Sequence, residues 1–436
     1  MSRDSYLVQN VFTPTKPARS TFVERKSIND SVVAALETPG KQLVVFGYSG
    51  SGKTTLLVNK LHQLYEGHIT TRCYGNLSFD QLILDAFDRL GPFYDAERTN
   101  NRKSSIGSSV QGDYVGLKAQ ITASLTSETQ TKQVRALPPQ LTPQTLATFL
   151  GEAGCCWVLD DFHKIASKEK KTMAQVMKLF MDMADSYNQL KIIAIGAVDS
   201  ARQVIEYDPE MRNRVSEVYV PLMTEDEIKE IPAKGEELLN FRIPTDIKKQ
   251  IIGFSDGIPS VCHQLCLNMC FEAGIRTTLS DSVEITSDIF EKALEQYVEQ
   301  SSDTLKAAFD KAFRPVADET KRDGELVLRS LLECGHDGET KEDILRRIRV
   351  WQPKYRLSNL SQVLKRLQAV DRGELIRYDP ASGRFSFSEN IYRAYAATYF
   401  ERARRKERKN RTIDVDTTEV LEVITKMLHE WRQHSS

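Results

Sequence analysis

The sequence predicts an α/β fold in its first half and a mostly helical second half that ends in a winged helix-turn-helix. Three observations lead to this prediction. The apolar run 43–46 passes through a glycine-rich loop into a helical pattern. Further apolar runs alternate with helical patterns up to about residue 222, as expected when helices cover a sheet. Near the C-terminus, three helical patterns precede two short strands around a turn.

Composition is that of an ordinary globular protein, and 436 residues are enough for two or three domains. No apolar run approaches membrane-spanning length and residues 1–5 lack a secretory pattern, so we expect a cytoplasmic protein without a membrane partner. The net charge of −1 is unevenly distributed. Residues 340–411 hold nineteen Lys and Arg against eight Asp and Glu, an excess of +11 that leaves −12 elsewhere. The basic end is where a polyanion would bind.

Cysteine usage indicates reduced thiols, because seven cysteines are an odd number and form no Cys-x-x-Cys pair. Cys262, Cys266 and Cys270 recur every fourth residue, with His263 nearby. That spacing suits a metal site or the buried face of a helix, and it favours the buried face.

The glycine-rich loop is the most specific motif. Gly47-Tyr48-Ser49-Gly50-Ser51-Gly52-Lys53-Thr54 has the spacing of a phosphate-binding P-loop, between a strand and a helix. Backbone N–H groups of 50–53 would surround the α/β-phosphates, Lys53 would reach the β/γ-phosphates, and the Thr54 hydroxyl would bind Mg²⁺. We therefore predict ATP and Mg²⁺ as ligands, held by Gly47, Ser49, Gly50, Ser51, Gly52, Lys53, Thr54 and Thr55.

A Phe-x-x-Arg turn lies ahead of the P-loop strand, before a helical pattern over 28–36. Phe22 would cover an adenine ring and Arg25 would anchor it, or the segment is an N-terminal strap.

An unusual segment follows the second predicted strand (69–74) and its helix (78–90). Residues 94–140 are rich in small polar residues, yet 115–126 alternate strictly between apolar and polar, which predicts a half-buried strand. With 106–110 as its hairpin partner, this insertion is a contact element or a decorative hairpin. Thr142-Pro143 then predicts an N-cap and the first residue of the next helix.

A second acidic signature ends the apolar strand 155–159. Asp160 suits a water-mediated contact to Mg²⁺, and Asp161 suits orientation of an attacking water. After a helix over 170–187 and a strand over 192–196, Asp199 and Ser200 lie where a γ-phosphate sensor or a plain loop would be. Arg214, or less favourably Arg212, would project onto a neighbouring subunit's γ-phosphate or remain solvated.

The second half starts at Thr224, a predicted N-cap, and is helical through Cys270 and over 287–300. Ser255-Asp256-Gly257-Ile258-Pro259 separates two helices, where Pro259 would rest against adenine or simply restart a helix.

Three helical patterns and a hairpin predict the winged helix-turn-helix. The helical patterns cover 326–332, 341–350 and 358–371, and the hairpin turns around 379–383. Its third helix and wing would present polar side chains to a DNA groove, namely Ser361, Gln362, Lys365, Arg366, Arg377 and Arg384. The alternative is an internal brace that touches no DNA. A basic helix (391–409) and an amphipathic helix (418–431) follow.

The order of the motifs resembles that of a known family. The motifs are, in sequence, the Phe-x-x-Arg turn, the P-loop, the Asp160-Asp161 strand, an Arg before Pro221-Leu222, Gly257-Ile258-Pro259 and the winged helix. They are similar to the ATPases that link the origin-recognition initiators of the AAA+ class to the STAND signalling switches, over about residues 12–400. The resemblance implies a parallel sheet of order 5-1-4-3-2, with nucleotide at the carboxyl edge of the strands. We expect an ATPase core over 1–222, a helical lid over 223–318, a winged helix over 319–400, and a basic helix with a tail helix over 401–436.

Three departures from the family pattern bear on activity. Glu24 stands where initiators usually have Gly, Asp161 replaces the usual Glu, and no Arg lies beside Gly257-Ile258-Pro259 as a second sensor. We therefore expect a slow, Mg-dependent ATPase that acts as a switch and assembles head to tail into a homo-oligomer through Arg214. Its further partner is double-stranded DNA, as in replication initiation or transposition. Alternatively it is a signalling or anti-phage defence ATPase whose partner is a separately encoded protein effector.

Overall fold

A computed structural model describes residues 5–65, 67–100, 141–196, 213–300, 303–314, 321–380 and 382–405. The chain divides into two compact units. The core unit comprises residues 16–222, and the C-terminal unit comprises residues 223–436 together with residues 1–15. None of the helices in the described ranges combines the length and apolar character that a bilayer crossing requires.

The core unit is built on a five-stranded parallel sheet of order β2-β3-β4-β1-β5, which confirms the predicted order. The strands are β1 (Gln42–Phe46), β2 (Gly67–Arg72), β3 (Cys155–Asp160), β4 (Ile192–Gly196) and β5 (Val215–Tyr219). The helices are α2 (Lys26–Glu37), α3 (Lys53–Leu64), α4 (Phe79–Asn100), α5 (Pro143–Glu152) and α6 (Ser167–Asp182), after a short α1 (Val8–Val11) outside this unit.

Alternate residues of the central strands pack into two apolar clusters, one on each face of the sheet. Trp157 and Leu159 join one cluster, whereas Cys156 and Val158 join the other. Because helices cover both faces, these strands are apolar along their whole length, as the sequence indicated.

Helix α4 is longer than predicted. It continues to Asn100, past Tyr94, where the insertion was expected to begin. Ala96 and Glu97 are good helix formers, although Gly91 and Pro92 in the same helix are poor ones. The predicted hairpin of the insertion lies outside the described residues, as do Asp199, Ser200 and Arg212.

The C-terminal unit contains helices and two small sheets. Its helices are α7 (Glu225–Leu239), α8 (Thr245–Ser255), α9 (Pro259–Glu272), α10 (Ser287–Gln300), α11 (Asp303–Ala312), α12 (Lys321–Leu332), α13 (Lys341–Trp351), α14 (Leu357–Leu367) and α15 (390–405). A capping box between Thr224 and Glu227 starts α7, so the predicted N-cap is confirmed. Cys262, Cys266 and Cys270 are all buried on α9, as expected for a core face.

The winged helix consists of α12 to α14 and a three-stranded sheet of order β8-β10-β9. The strands are β8 (Glu339–Thr340), β9 (Ile376–Asp379) and β10 (Arg384–Phe387), while β6 (Phe241–Arg242) and β7 (Val283–Glu284) pair elsewhere in the unit. Asp256, at the end of α8, forms a 2.9 Å ion pair with Arg393 of α15. That guanidinium also donates to the carbonyls of Leu331 and Leu332 in α12, so it ties the helical segment to the winged helix.

The first residues of the chain pack on α7 and α9 of the C-terminal unit. Residues 5–13, here called the N-terminal arm, form a bridge between Leu7 and Thr277, and the Thr13 amide donates to His263 Nδ1 at 3.1 Å. Phe12 is fully buried against Phe241. It lies so close to α7 that a Cβ on Gly235 would stand 2.1 Å from its ring.

Candidate functional site: a P-loop facing two aspartates

The P-loop connects the carboxyl end of β1 to the first turn of α3. Gly47 passes so close to β5 that a Cβ on it would lie 2.2 Å from the Val220 carbonyl oxygen. Gly52 caps α3 with φ of 86°, a left-handed conformation that disfavours other residues. These two glycines therefore fix the loop at the positive end of a twelve-residue helix.

Lys53 is anchored by its own loop. Its Nζ donates to the carbonyls of Gly47 at 3.0 Å and Tyr48 at 2.6 Å. An ammonium group has three donors, so one N–H is left for another acceptor. Burial lowers the pKa of Lys53, while the charges of Asp161 and Asp160 act in the opposite direction. The lysine thus lies in the field of both acids.

Asp160 and Asp161 lie at the same sheet edge as the P-loop, because β3 and β1 run parallel and both end there. Asp161 has a left-handed φ of 58°, and its amide donates to Asp160 Oδ1 at 3.1 Å. Burial, followed by the charge of Asp161, raises the pKa of Asp160. The Asp161 carboxylate makes a 2.6 Å ion pair with Lys164.

The remaining predicted P-loop residues fit a triphosphate and its magnesium ion. Ser51 is buried, and its hydroxyl has no hydrogen-bond partner among the described residues. Thr54 and Thr55 are half-buried in the first turn of α3, whereas Ser49 and Gly50 are exposed. Hydroxyl and carboxylate oxygens are the ligands that Mg²⁺ prefers, and helix N-termini bind phosphate.

Arg25 contacts the backbone of its own unit. It is buried, and its two terminal nitrogens donate to the carbonyls of Pro221 at 2.9 Å and Leu222 at 3.1 Å, where the core unit ends. Its neighbour Glu24 forms a 3.0 Å ion pair with Lys60 of α3, which gives the acidic residue a structural role. The strap interpretation of this segment therefore fits better than an adenine anchor.

Arg214 is placed away from its own P-loop. It immediately precedes β5, and its carbonyl accepts from the Gln42 amide at the start of β1. It therefore lies at the amino ends of these strands, opposite the carboxyl ends that carry the P-loop. Its half-exposed guanidinium is 3.2 Å from Asp182. Pro259 begins α9 in the C-terminal unit, where the Met223 amide donates to the Gly257 carbonyl.

Two residues near the acids were missed in the sequence analysis. His163 follows in the 3₁₀ turn, where its carbonyl accepts from Lys170 Nζ at 2.9 Å and its buried Nδ1 has no partner among the described residues. Burial lowers the pKa of His163. Lys164, the partner of Asp161, is the second. Their only signal was their position directly after Asp160-Asp161.

The predicted DNA-contacting residues differ in their exposure and in their local contacts. Gln362 and Lys365 are exposed on α14. Arg366 is instead half-buried, and burial lowers its pKa. Its Nη2 lies close to Gly324, where an added Cβ would be 3.3 Å away. The two wing arginines are exposed but hold local contacts, Arg377 to Ser386 Oγ at 3.2 Å and Arg384 to the Gly338 carbonyl at 3.1 Å. Ser361 donates to the Leu357 carbonyl at 2.9 Å.

Comparison with family models gives no match, and neither does comparison with curated proteins. Solved structures do match. A Walker-type ATPase of Pyrococcus abyssi superposes with a TM-score of 0.51 at 16% identity, covering 87% of this chain and 97% of that one. The Aeropyrum pernix ORC2 protein in its ADPNP-ADP complexes gives 0.47 at 13% identity, covering 92% and 98%. The Thermotoga maritima RuvB branch migration motor gives 0.39 at 14% identity, covering 87% and 97%. With the sheet order and the P-loop, the first of these shows that the chain has the fold of a Walker-type P-loop ATPase.

Proposed function

We propose that this protein binds Mg-ATP at its P-loop and hydrolyses it slowly, as a nucleotide-controlled switch. The strongest support is that Lys53, Asp160 and Asp161 lie at the same end of the sheet. There the charge of each acid raises the pKa of the lysine, against the effect of burial. A cation for the phosphates, one acid for the metal and one residue for the water are recurring parts of phosphoryl-transfer sites.

Each residue then has a distinct task. The third N–H of Lys53 and the backbone of 50–53 hold the phosphates, while Thr54 and Asp160 hold magnesium. When bound, the ion neutralises phosphate charge and orients the γ-phosphate for attack. Asp161 orients the attacking water and accepts its proton. Lys164 holds one oxygen of the Asp161 carboxylate at 2.6 Å and so competes with the water for that acid, which fits slow turnover.

The direct test compares Lys53→Ala with Lys168→Ala, an exposed lysine of α6 in the same unit. Both purified proteins are assayed for binding of a fluorescent ATP analogue and for phosphate release. The proposal expects Lys53→Ala to lose both and Lys168→Ala to retain both. Hydrolysis that persists in Lys53→Ala would show that the site has been assigned wrongly.

We further propose that ATP promotes head-to-tail assembly through Arg214. What supports this is its place at the edge opposite the P-loop, from which it can serve only a site in another subunit. Such an arrangement is a heterologous contact, which generates rings or filaments. The ATP-dependent assembly state, measured by light scattering, is the corresponding experiment.

Double-stranded DNA is the proposed partner of the winged helix, because exposed Lys365 and Gln362 lie on α14 within the basic part of the chain. Binding that weakens with salt and falls in Lys365→Glu, but not in Lys306→Glu on α11, would support DNA.

The second candidate is a signalling or defence ATPase with a protein effector. It is favoured by the half-burial of Arg366 and the local contacts of Arg377 and Arg384, and ATP-driven assembly indifferent to DNA would support it.

A further inference from the structure

An exposed apolar and basic surface lies at the turn between α13 and α14. Val350, Trp351 and Leu357 are 78%, 40% and 48% exposed, although side chains of this kind are usually covered. Together with the exposed Lys354 and Arg356 between them, we call these residues the turn patch.

The turn patch is held in a fixed shape. Between Lys354 and Arg356 of the patch, Tyr355 is buried and its amide donates to the Gln352 carbonyl at 2.9 Å. Arg349 Nε donates in turn to the Tyr355 carbonyl at 3.2 Å. A ligand would therefore meet a preformed surface, which lowers the entropy cost of binding.

The charge of this surface has one sign. Residues 344–361 include five Lys and Arg and no Asp or Glu. Two of the five are neutralised, Arg346 by Asp343 at 2.8 Å and Arg347 by Glu339 at 3.0 Å. Lys354 and Arg356 form no ion pair with any carboxylate that the structure describes. The matching ligand has acidic and apolar side chains together.

The chain itself contains such a segment near its C-terminus. Residues 412–424 include four acids, Asp414, Asp416, Glu419 and Glu422, and no Lys or Arg. Apolar residues recur at helical spacing through the following turns, at Val420, Leu421, Ile424, Met427, Leu428 and Trp431. This acidic segment, 412–431, lies outside the described residues, and its pattern predicts an amphipathic helix.

We propose that the acidic segment binds the turn patch of its own chain. Its apolar stripe covers Val350, Trp351 and Leu357, and Glu419 and Glu422 pair with Lys354 and Arg356. A double helix offers phosphates for the two cations but no apolar counterpart for Val350 and Leu357, so the patch fits the acidic segment better than DNA.

The length of the connection allows this contact. Helix α15 is described to residue 405, and 7 to 14 residues lead from there to 412–419. With 406–409 continuing the predicted basic helix and the rest extended, they span about 15 to 40 Å, against roughly 30 Å for the diameter of a domain the size of the winged helix. A short tether also gives a millimolar effective concentration, which favours the same chain over a second copy.

Photo-crosslinking in the full-length protein tests the proposal. Val350 is replaced by benzoylphenylalanine, and crosslinked peptides are identified by mass spectrometry from the monomer band. We expect crosslinks to peptides within 412–431. The matched control places the same residue at Val370, which is 77% exposed in the same unit but outside the turn patch, and it should not reach that segment. Absence of the 412–431 crosslink, its appearance only in a covalent dimer, or replacement by crosslinks to added duplex DNA would each overturn the proposal.

A charge swap tests the pairing independently. In the Val350 crosslinking protein, Lys354→Glu with Arg356→Glu should abolish the 412–431 crosslink, and added Glu419→Lys with Glu422→Lys should restore it. Both positions of the patch are exposed, so thermal unfolding should remain unchanged in each protein. If the crosslink survives the first pair, or fails to return with the second, the assigned pairing is wrong.

Discussion

At the scale of single residues, we expect Asp161 and Lys164 to set the rate of the proposed ATP hydrolysis. Asp161→Asn keeps the shape of the side chain but cannot accept a proton, so we expect ATP binding to persist while hydrolysis falls about 10²-fold or more. Lys164→Ala releases the carboxylate from its 2.6 Å ion pair and should raise turnover. Single-turnover assays separate binding from chemistry. Asp185→Asn, an exposed acid of the same unit, is the control.

Arg25 is expected to act on stability and not on base recognition. Arg25→Ala leaves the carbonyls of Pro221 and Leu222 without their charged donor, and should cost about 3 kcal/mol of unfolding free energy. Its ratio of affinities for ATP and for tripolyphosphate should match that of the control Arg19→Ala, an exposed arginine hydrogen-bonded to His62. A ratio that falls only in Arg25→Ala would restore the adenine anchor.

At the scale of elements, the N-terminal arm depends on one glycine of α7. Gly235→Ala places a Cβ where the Phe12 ring lies 2.1 Å away, so overpacking should cost about 1–3 kcal/mol and loosen the arm. Gly253→Ala on α8 is a matched control, since nothing lies within 4 Å of its added Cβ. It should stabilise the helix by about 0.5–1 kcal/mol. Chemical denaturation and proteolysis near residue 15 measure the two effects.

The same arm should make stability sensitive to acid. Burial lowers the pKa of His263 from 6.5 to about 4, and its Nδ1 accepts from Thr13, which requires the neutral ring. The unfolded chain therefore binds the proton first, so this contribution is complete above pH 6.5 and is lost as the pH falls toward 4. Between pH 7 and 4, wild type should lose about 3 kcal/mol more than His263→Gln. Equal losses in both proteins would contradict this.

The elements were predictable wherever the signal was local. The P-loop, the apolar strands and the Thr224 cap each depend on residues within about ten positions, and the parallel sheet order followed from the family resemblance. The contacts of Arg25 and of Phe12 were not predictable. Each contact joins residues about two hundred positions apart. The partners are backbone carbonyls and a glycine, and no sequence pattern marks such groups as contact partners. Half-burial of Arg366, whose Nη2 lies close to Gly324 in another helix, likewise has no local sequence signal.

At the scale of the whole molecule, Arg214 and Lys53 should complement each other between subunits. Lys53→Ala lacks a working phosphate site but retains its arginine, and Arg214→Ala has the reverse defect. Alone, each protein should be nearly inactive. Mixed, they should regain part of the wild-type ATPase rate, because one subunit's arginine completes the other's site. Arg89→Ala in place of Arg214→Ala is the control and should be active alone. A mixture as inactive as its components would exclude action between subunits.

The membership of residues 1–15 in the C-terminal unit also has a consequence during synthesis. Phe12 leaves the ribosome more than two hundred residues before Gly235 and His263, the groups that cover it. At about 5–20 residues per second, that interval is roughly 10–50 seconds. During this interval the core unit is being translated, and the apolar side chains of Val8, Val11 and Phe12 have no docking site. We therefore expect these apolar side chains to stay uncovered in the nascent chain until α7 and α9 are made, and the beginning of the polypeptide to pack onto this much later part only then.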